Sequence, residues 1–149
     1  MEIAISSDHA GYPLKAALLP LLRALGHKVS DLGTDSPDRS VDYPDFAKKA
    51  ALAVLSGAAR RAIVVCGSGV GACVAANKMK GIRAGLCHDT YSAHQAVEHD
   101  DINILCLGAR VIGEGLAIEI AAAFLKAEFS NEERHLRRLK KIAGIESGA

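Results

Sequence analysis

The apolar run Ala62-Ile63-Val64-Val65 and the stretch behind it, Cys66-Gly67-Ser68-Gly69-Val70-Gly71, constrain this chain more than any other feature. A short, uninterrupted, β-branched run suits a strand covered on both faces, the habit of parallel sheets. Ala72 to Asn77 then reads as a helix. A glycine turn between a buried strand and a helix leaves backbone N–H groups open to an anion, and the helix dipole adds partial positive charge. Cys66 ends the strand beside those donors, where a thiolate is favoured. The residues fit a nucleophile or base next to an anion cradle. They also fit two plainer arrangements, a small buried cysteine or a phosphate loop with no chemistry at sulfur.

Strand and helix alternate along the rest of the chain. Ile3 to Ser6 reads as a strand, and Leu14 to Leu25 as an amphipathic helix closed by Gly26. Pro20 inside that helix is expected to bend it or remove a hydrogen bond. Lys28 to Leu32 alternates as an edge strand, and the polar loop Gly33 to Asp42 leads to a helix from Tyr43-Pro44 to about Leu55. Ile82 to Cys87 and Ile104 to Leu107 are further strands. His88-Asp89-Thr90 caps a helix to about His99, Ile112 to Phe129 forms a long alanine-rich helix, and a basic helix occupies about residues 131–145. The pattern predicts a three-layer α/β/α sandwich around a five-stranded, parallel, Rossmann-like sheet, with residues 1–149 as one domain.

Charge narrows the possible partners. The 18 basic and 17 acidic residues nearly cancel, so nothing global points to nucleic acid or a membrane surface. Cys66, Cys73, Cys87 and Cys106 show neither a C-x-x-C pair nor zinc-type spacing to histidine, which predicts reduced thiols, a cytoplasmic setting and no metal. Ile3-Ala4-Ile5 is too short for a signal peptide, and glycines or charges interrupt every apolar segment before it reaches a membrane span.

In a parallel sheet, functional groups gather at the carboxyl ends of the strands. That rule selects Asp8 and His9 after the first strand, Cys66 at the end of the third, His88 and Asp89 after the fourth, and Arg110 after the fifth, although aspartate and histidine there also serve as helix caps. On the last helix, Arg134 and Arg138 share a face with His135 beside them, and Leu136, Leu139 and Ile142 form the seam expected to dock it. Two guanidiniums so placed can grip a phosphate; a solvated basic face looks the same.

Several separated motifs carry a resemblance. Ser7-Asp8-His9-Ala10-Gly11, Asp42-Tyr43-Pro44, Cys66 through Gly71, Ala75-Ala76-Asn77-Lys78, Gly81-Ile82-Arg83-Ala84, Glu98-His99, Asn103-Ile104-Leu105, Gly108 through Gly113 and Arg134-His135 occur in one order across nearly the whole chain. With them the sequence resembles the ribose-5-phosphate isomerase B family, whose relatives include allose-6-phosphate and galactose-6-phosphate isomerases. The resemblance implies aldose–ketose isomerisation through a cis-enediolate, with no metal or other cofactor. It implies that Cys66 moves the proton between C1 and C2, that N–H groups of Gly67, Gly69, Val70 and Gly71 hold the enediolate oxygen, and that Ser68 adds a hydroxyl contact. Asp8 and His99 would open the furanose ring, Tyr43 would line the sugar, and His9, Arg110, Arg134, His135 and Arg138 would hold the phosphate. It also implies a homodimer, or a tetramer, whose active site borrows last-helix residues from the partner subunit.

Two positions separate this chain from other members. Ala72 stands where one branch has a glutamate, which assigns the chain to the cysteine branch. Asp100 stands where the family usually has asparagine. An ionised carboxylate accepts but cannot donate to an enediolate oxygen, so Asp100 is expected to shift the preferred sugar toward a tetrose or hexose phosphate. The same residues bear on three other readings. Gly67 to Ala72 fits a G-x-G-x-x-A dinucleotide fingerprint with Asp89 following, but it opens after the third strand. A cysteine phosphatase wants an arginine where Ala72 stands. A non-catalytic sugar-phosphate sensor shares the phosphate grip but has no need of Cys66, Asp8 and His99 together.

Overall fold

The computed structural model describes residues 1–148. Strands β1 (Glu2–Ser7), β2 (Lys28–Asp31), β3 (Arg61–Cys66), β4 (Ala84–Leu86) and β5 (Ile104–Gly108) form one parallel sheet in the order β2-β1-β3-β5-β4. The helices are α1 (Tyr12–Ala24), α2 (Tyr43–Leu55), α3 (Val70–Ala76), α4 (Thr90–Asp100), α5 (Glu114–Lys126) and α6 (Glu133–Glu146). No helix among the described residues is long and apolar enough to cross a membrane.

Alternation along the strands gives the sheet two unlike faces. Ile3, Ile5, Ile63, Val65, Leu105 and Leu107 pack against α1, α4 and α5 through Leu18, Val97 and Phe124. The other face carries Ala4, Ala62, Val64, Cys66 and Cys106 and meets Ala47, Ala50 and Ala51 of α2 and Ala72 and Ala76 of α3. Small side chains on both partners let these two helices lie close to the sheet, and Cys66 belongs to this tighter layer. The expected three-layer sandwich is the observed one.

Several boundaries differ from expectation for visible reasons. α5 stops at Lys126 rather than Phe129 because the buried Arg61 guanidinium donates to the carbonyls of Phe124 (2.6 Å) and Ala127 (2.8 Å) and ends the helix there. It starts at Glu114 because Gly113, with ψ 171°, is extended. Asn131, at φ 56°, delays α6 to Glu133. α1 continues through Pro20, which leaves the Ala16 carbonyl without its intrahelical donor. Leu136 (49% exposed) and Ile142 (44%) do not dock α6 against its own chain, as their spacing suggested.

One ion pair, buried at its lysine end, fixes where the loop after β2 departs. Lys15 of α1 is 2% exposed, and its Nζ donates to both Asp31 oxygens (2.8 and 2.7 Å) and to the Thr34 carbonyl (2.7 Å). Lys15→Met keeps the packed stem but strands those acceptors, and is expected to destabilise the fold by about 2 kcal/mol. Urea unfolding at fixed protein concentration checks this; an unchanged midpoint would show that the pair contributes nothing.

Candidate active site

β1 and β3 lie side by side, but the chain leaves β1 toward β2 on one side and returns to β3 on the other. A crevice opens where the winding reverses. It encloses about 340 Å³ and is lined by Asp8, His9, Tyr43, Cys66, Gly67, Ser68, Gly71, Arg110 and their neighbours Ala10 and Val111. Eight residues singled out from the sequence thus meet in one place.

Each is held by local structure. Asp8 is buried, and its Oδ1 accepts from the Gly11 N–H at 2.8 Å. His9 Nδ1 lies 3.1 Å from the Val41 nitrogen and 3.2 Å from its carbonyl oxygen, so the loop before α2 orients the ring and leaves Nε2 free. Nothing in the sequence pattern marks Val41 for this work, because backbone contacts are indifferent to side-chain type. The Tyr43 ring lies over Gly71 so closely that a Cβ there would come within 2.6 Å of it. The Arg110 N–H donates to the Gly67 carbonyl at 3.0 Å, which brings the guanidinium beside the glycine loop.

The glycine loop divides its donors. Gly69 has φ 79° and presses against the Leu107–Gly108 backbone, where a Cβ would meet the Leu107 carbonyl carbon at 2.8 Å. Its N–H donates to Cys66 Sγ at 3.1 Å, and the Val70 N–H donates to Ser68 Oγ at 3.2 Å. These two amides are already engaged, contrary to the expectation that Gly69 and Val70 face an oxyanion. Gly67, Ser68 and Gly71 line the crevice, and their N–H groups have no protein acceptor among the described residues. His88 and Asp89 serve the scaffold instead: His88 Nε2 accepts from the Gly108 N–H at 2.9 Å, and Asp89 accepts from the Ser92 N–H at 2.7 Å to cap α4.

The remaining candidates stand elsewhere. His99 and Asp100 end α4, next to the start of β4, where Arg83 Nε donates to the Asp100 carbonyl at 3.1 Å. A six-residue strand is about 17 Å long, and an eleven-residue helix running back beside the sheet is about 16 Å long. His99 therefore lies at the opposite rim from Cys66. Arg134 and Arg138 are exposed on the first turns of α6, and Arg134 Nε donates to Glu132 Oε2 at 2.8 Å. His135 is 1% exposed and stacks on His99, so it offers no surface to a phosphate, contrary to its expected role. Asp100 faces a groove lined by Asn77, Arg83, Ile142 and Ile145.

Fold and site together are those of an α/β sugar-phosphate isomerase. The model of the ribose/galactose isomerase family matches residues 3–142. Ribose-5-phosphate isomerase B of Escherichia coli is 43% identical over 97% of this chain and 96% of its own. D-erythrulose-4-phosphate isomerase of Pectobacterium atrosepticum is 44% identical over 87% and 85%. The structure of Clostridium thermocellum ribose-5-phosphate isomerase B superposes with a TM-score of 0.96 at 49% identity, covering 99% of both chains. The chain belongs to the ribose/galactose isomerase family, in the class of aldose–ketose isomerases.

The other thiols titrate differently from one another. The neighbouring Cys106 thiol, with help from the Leu86 backbone and Asn77, draws Cys73 down to about 7 against the opposing effect of burial. Burial, then the Asp89 charge, pushes Cys87 up to about 11, and Cys106 lies well above the ordinary thiol value. The thiolate is the nucleophile, so reactivity rises as pH passes the pKa. In Cys66→Ser protein, iodoacetamide is expected to label Cys73 with a midpoint near pH 7 while Cys87 and Cys106 stay unmodified through pH 9. A midpoint above Cys73's ordinary value of 9.0, found by peptide mapping across pH, would contradict this.

Proposed function

We propose that the protein interconverts ribose 5-phosphate and ribulose 5-phosphate through a cis-enediolate, with Cys66 as the base. The observation that carries this reading is Cys66 lining a crevice whose loop keeps the N–H groups of Gly67, Ser68 and Gly71 uncommitted. Removing the C2 proton of an open-chain aldose puts negative charge on O1, and fixed amide donors stabilise charge that develops there. The O2 proton passes to O1 and Cys66 returns the abstracted proton to C1, which leaves a ketone at C2 and a hydroxyl at C1. Ser68 Oγ adds a polar contact, Tyr43 lines the sugar, and His9 and Arg110 hold the phosphate from the crevice side.

Ring opening must come first for a furanose. The C1–O4 bond breaks, its electron pair goes to O4, and His99 supplies the proton there. Asp8 takes the proton of the anomeric hydroxyl as the C1 carbonyl forms. His99 cannot reach Cys66 of its own chain across the length of a strand. The reading therefore includes a homodimer in which His99, Asp100, Arg134 and Arg138 of one subunit complete the other's crevice. Exposed Leu136, Ile142 and Ile145 of α6 suit such burial against a partner. The crystallised and curated relatives named for ribose 5-phosphate support the pentose as substrate.

The relative named for D-erythrulose 4-phosphate supports a second reading, a tetrose phosphate, and Asp100 is the residue on which we base it. Proton NMR in D₂O with aldose phosphates of four to six carbons tests both. Ribose 5-phosphate is expected to yield ketose with deuterium at the transferred position, and Cys66→Ala is expected to lose roughly 10²–10⁴-fold in kcat. Turnover surviving in Cys66→Ala would dismiss the base; binding without turnover of any sugar would leave a sensor. Asp100→Asn is expected to raise the preference for the pentose over the tetrose about tenfold, the worth of one restored donor. Equal turnover of ribose 5-phosphate by both proteins would sink the role of Asp100.

A further inference from the structure

His135 is buried, aromatic and titratable, yet it has no surface from which to touch a substrate. Its ring lies against that of His99 with centroids 4.2 Å apart and planes inclined by 29°. Its Nδ1 is 2.7 Å from Ser130 Oγ, and the Ser130 N–H donates to the Glu98 carbonyl at 3.0 Å, one residue before His99. Nε2 is buried without a partner among the described residues. Such a nitrogen costs stability, and a wholly apolar side chain would avoid the cost. Burial first, then the charges of His99, Arg134 and Arg138, hold His135 below the ordinary imidazole value, with Glu132 opposing. His99 thus rests on a neutral ring. The other titratable groups near the pair are Glu98, whose Oε2 lies 3.8 Å from His99 Nε2, and His94, 3.4 Å from the same carboxylate.

We infer that His135 is a positioning residue for His99: its buried, stacked ring, tied through Ser130 to the end of α4, fixes the orientation from which His99 delivers a proton to the ring oxygen of a cyclic sugar phosphate. This rests on the reading above in which His99 opens the ring. The His99 side chain is 32% exposed and would otherwise turn about two torsions; stacking on an immobile plane removes that freedom. Orientation of a proton donor is worth a large factor in rate, because misplacement is felt steeply. A phosphate contact by His135 would need exposure the residue lacks.

The two halves of the reaction can be measured apart. Ribose 5-phosphate is a furanose and must be opened. Ribulose 5-phosphate carries its phosphate on the C5 oxygen, cannot close a five-membered ring, and exchanges its C1 hydrogen in D₂O by enediolate chemistry alone. The readout is the ratio of ribose 5-phosphate turnover to C1 exchange into ribulose 5-phosphate. His135→Leu fills the volume without a planar ring and is expected to lower that ratio about tenfold; His135→Phe restores the plane and should keep it within about threefold of the wild type. A ratio unchanged in His135→Leu, or lowered equally in both variants, overturns the inference. His99→Ala provides the separate control. If it leaves the ratio unchanged, ring opening by His99 fails and takes the inference with it; if it lowers the ratio while His135→Leu does not, the inference alone fails.

Discussion

Direction is the constraint from which the rest of this molecule follows. In an all-parallel sheet every strand starts at the same rim, so every connecting helix must run back to that rim. Residues that follow strands and residues that end helices are therefore separated by the height of the sheet. Asp8 and Arg110 follow β1 and β5, Cys66 ends β3, and the three meet in the crevice; His99 and Asp100 end α4 and stand a strand's length away. No side-chain torsion closes a gap on the order of 15 Å. The reading proposed above uses both groups, and it is this separation along the sheet that leads it to draw His99 and Asp100 from a second copy.

Within the crevice, unequal packing of the sheet does the positioning. The face under α2 and α3 is built mostly from alanine, valine and cysteine, with Ile104 its one larger strand residue, so both helices approach closely and Tyr43, at the start of α2, reaches over Gly71. The opposite face carries isoleucine and leucine, and its helices supply bulk and stability. Cys66 sits in the tighter layer with only 4% of its surface exposed, and its sulfur accepts from the Gly69 N–H.

Much of this is legible in the residues. The β-branched run before Cys66, the alternation of Lys28 to Asp31 at a sheet edge, and Pro44 at the first turn of α2 each specify their element locally. The strand-end rule then collects Asp8, His9, Cys66 and Arg110 without reference to any relative. What escapes such reading is set by distant partners. Arg61 decides where α5 ends, though nothing near Lys126 says so. β5 inserts between β3 and β4, an order no strand announces. Helical spacing correctly aligns Leu136, Leu139 and Ile142, but spacing cannot say whether the surface they seek lies in the same chain. His135 reads as one more basic residue beside Arg134; only the stack on His99 reveals it as buried.

On the mechanism proposed for Cys66, the glycine loop has two anions to serve. Thiolate and enediolate are both anions, formed at neighbouring points, and both are stabilised by the same amides. Donors lavished on sulfur would make it a poorer base, while a loop given wholly to the oxyanion would leave the sulfur unsupported. Here a single residue takes the strained position: Gly69, left-handed and wedged against β5, turns its N–H toward Cys66. Val70 is occupied by the Ser68 hydroxyl, and Gly67, Ser68 and Gly71 stay free along the crevice wall. Only glycine reconciles the positive φ with a backbone neighbour within 3 Å, so the division of donors depends on one residue having no side chain. The same absence at Gly71 admits the Tyr43 ring, which places an aromatic wall beside the remaining donors. The loop's division of donors thus depends on where its side chains are missing as much as on the thiol it surrounds.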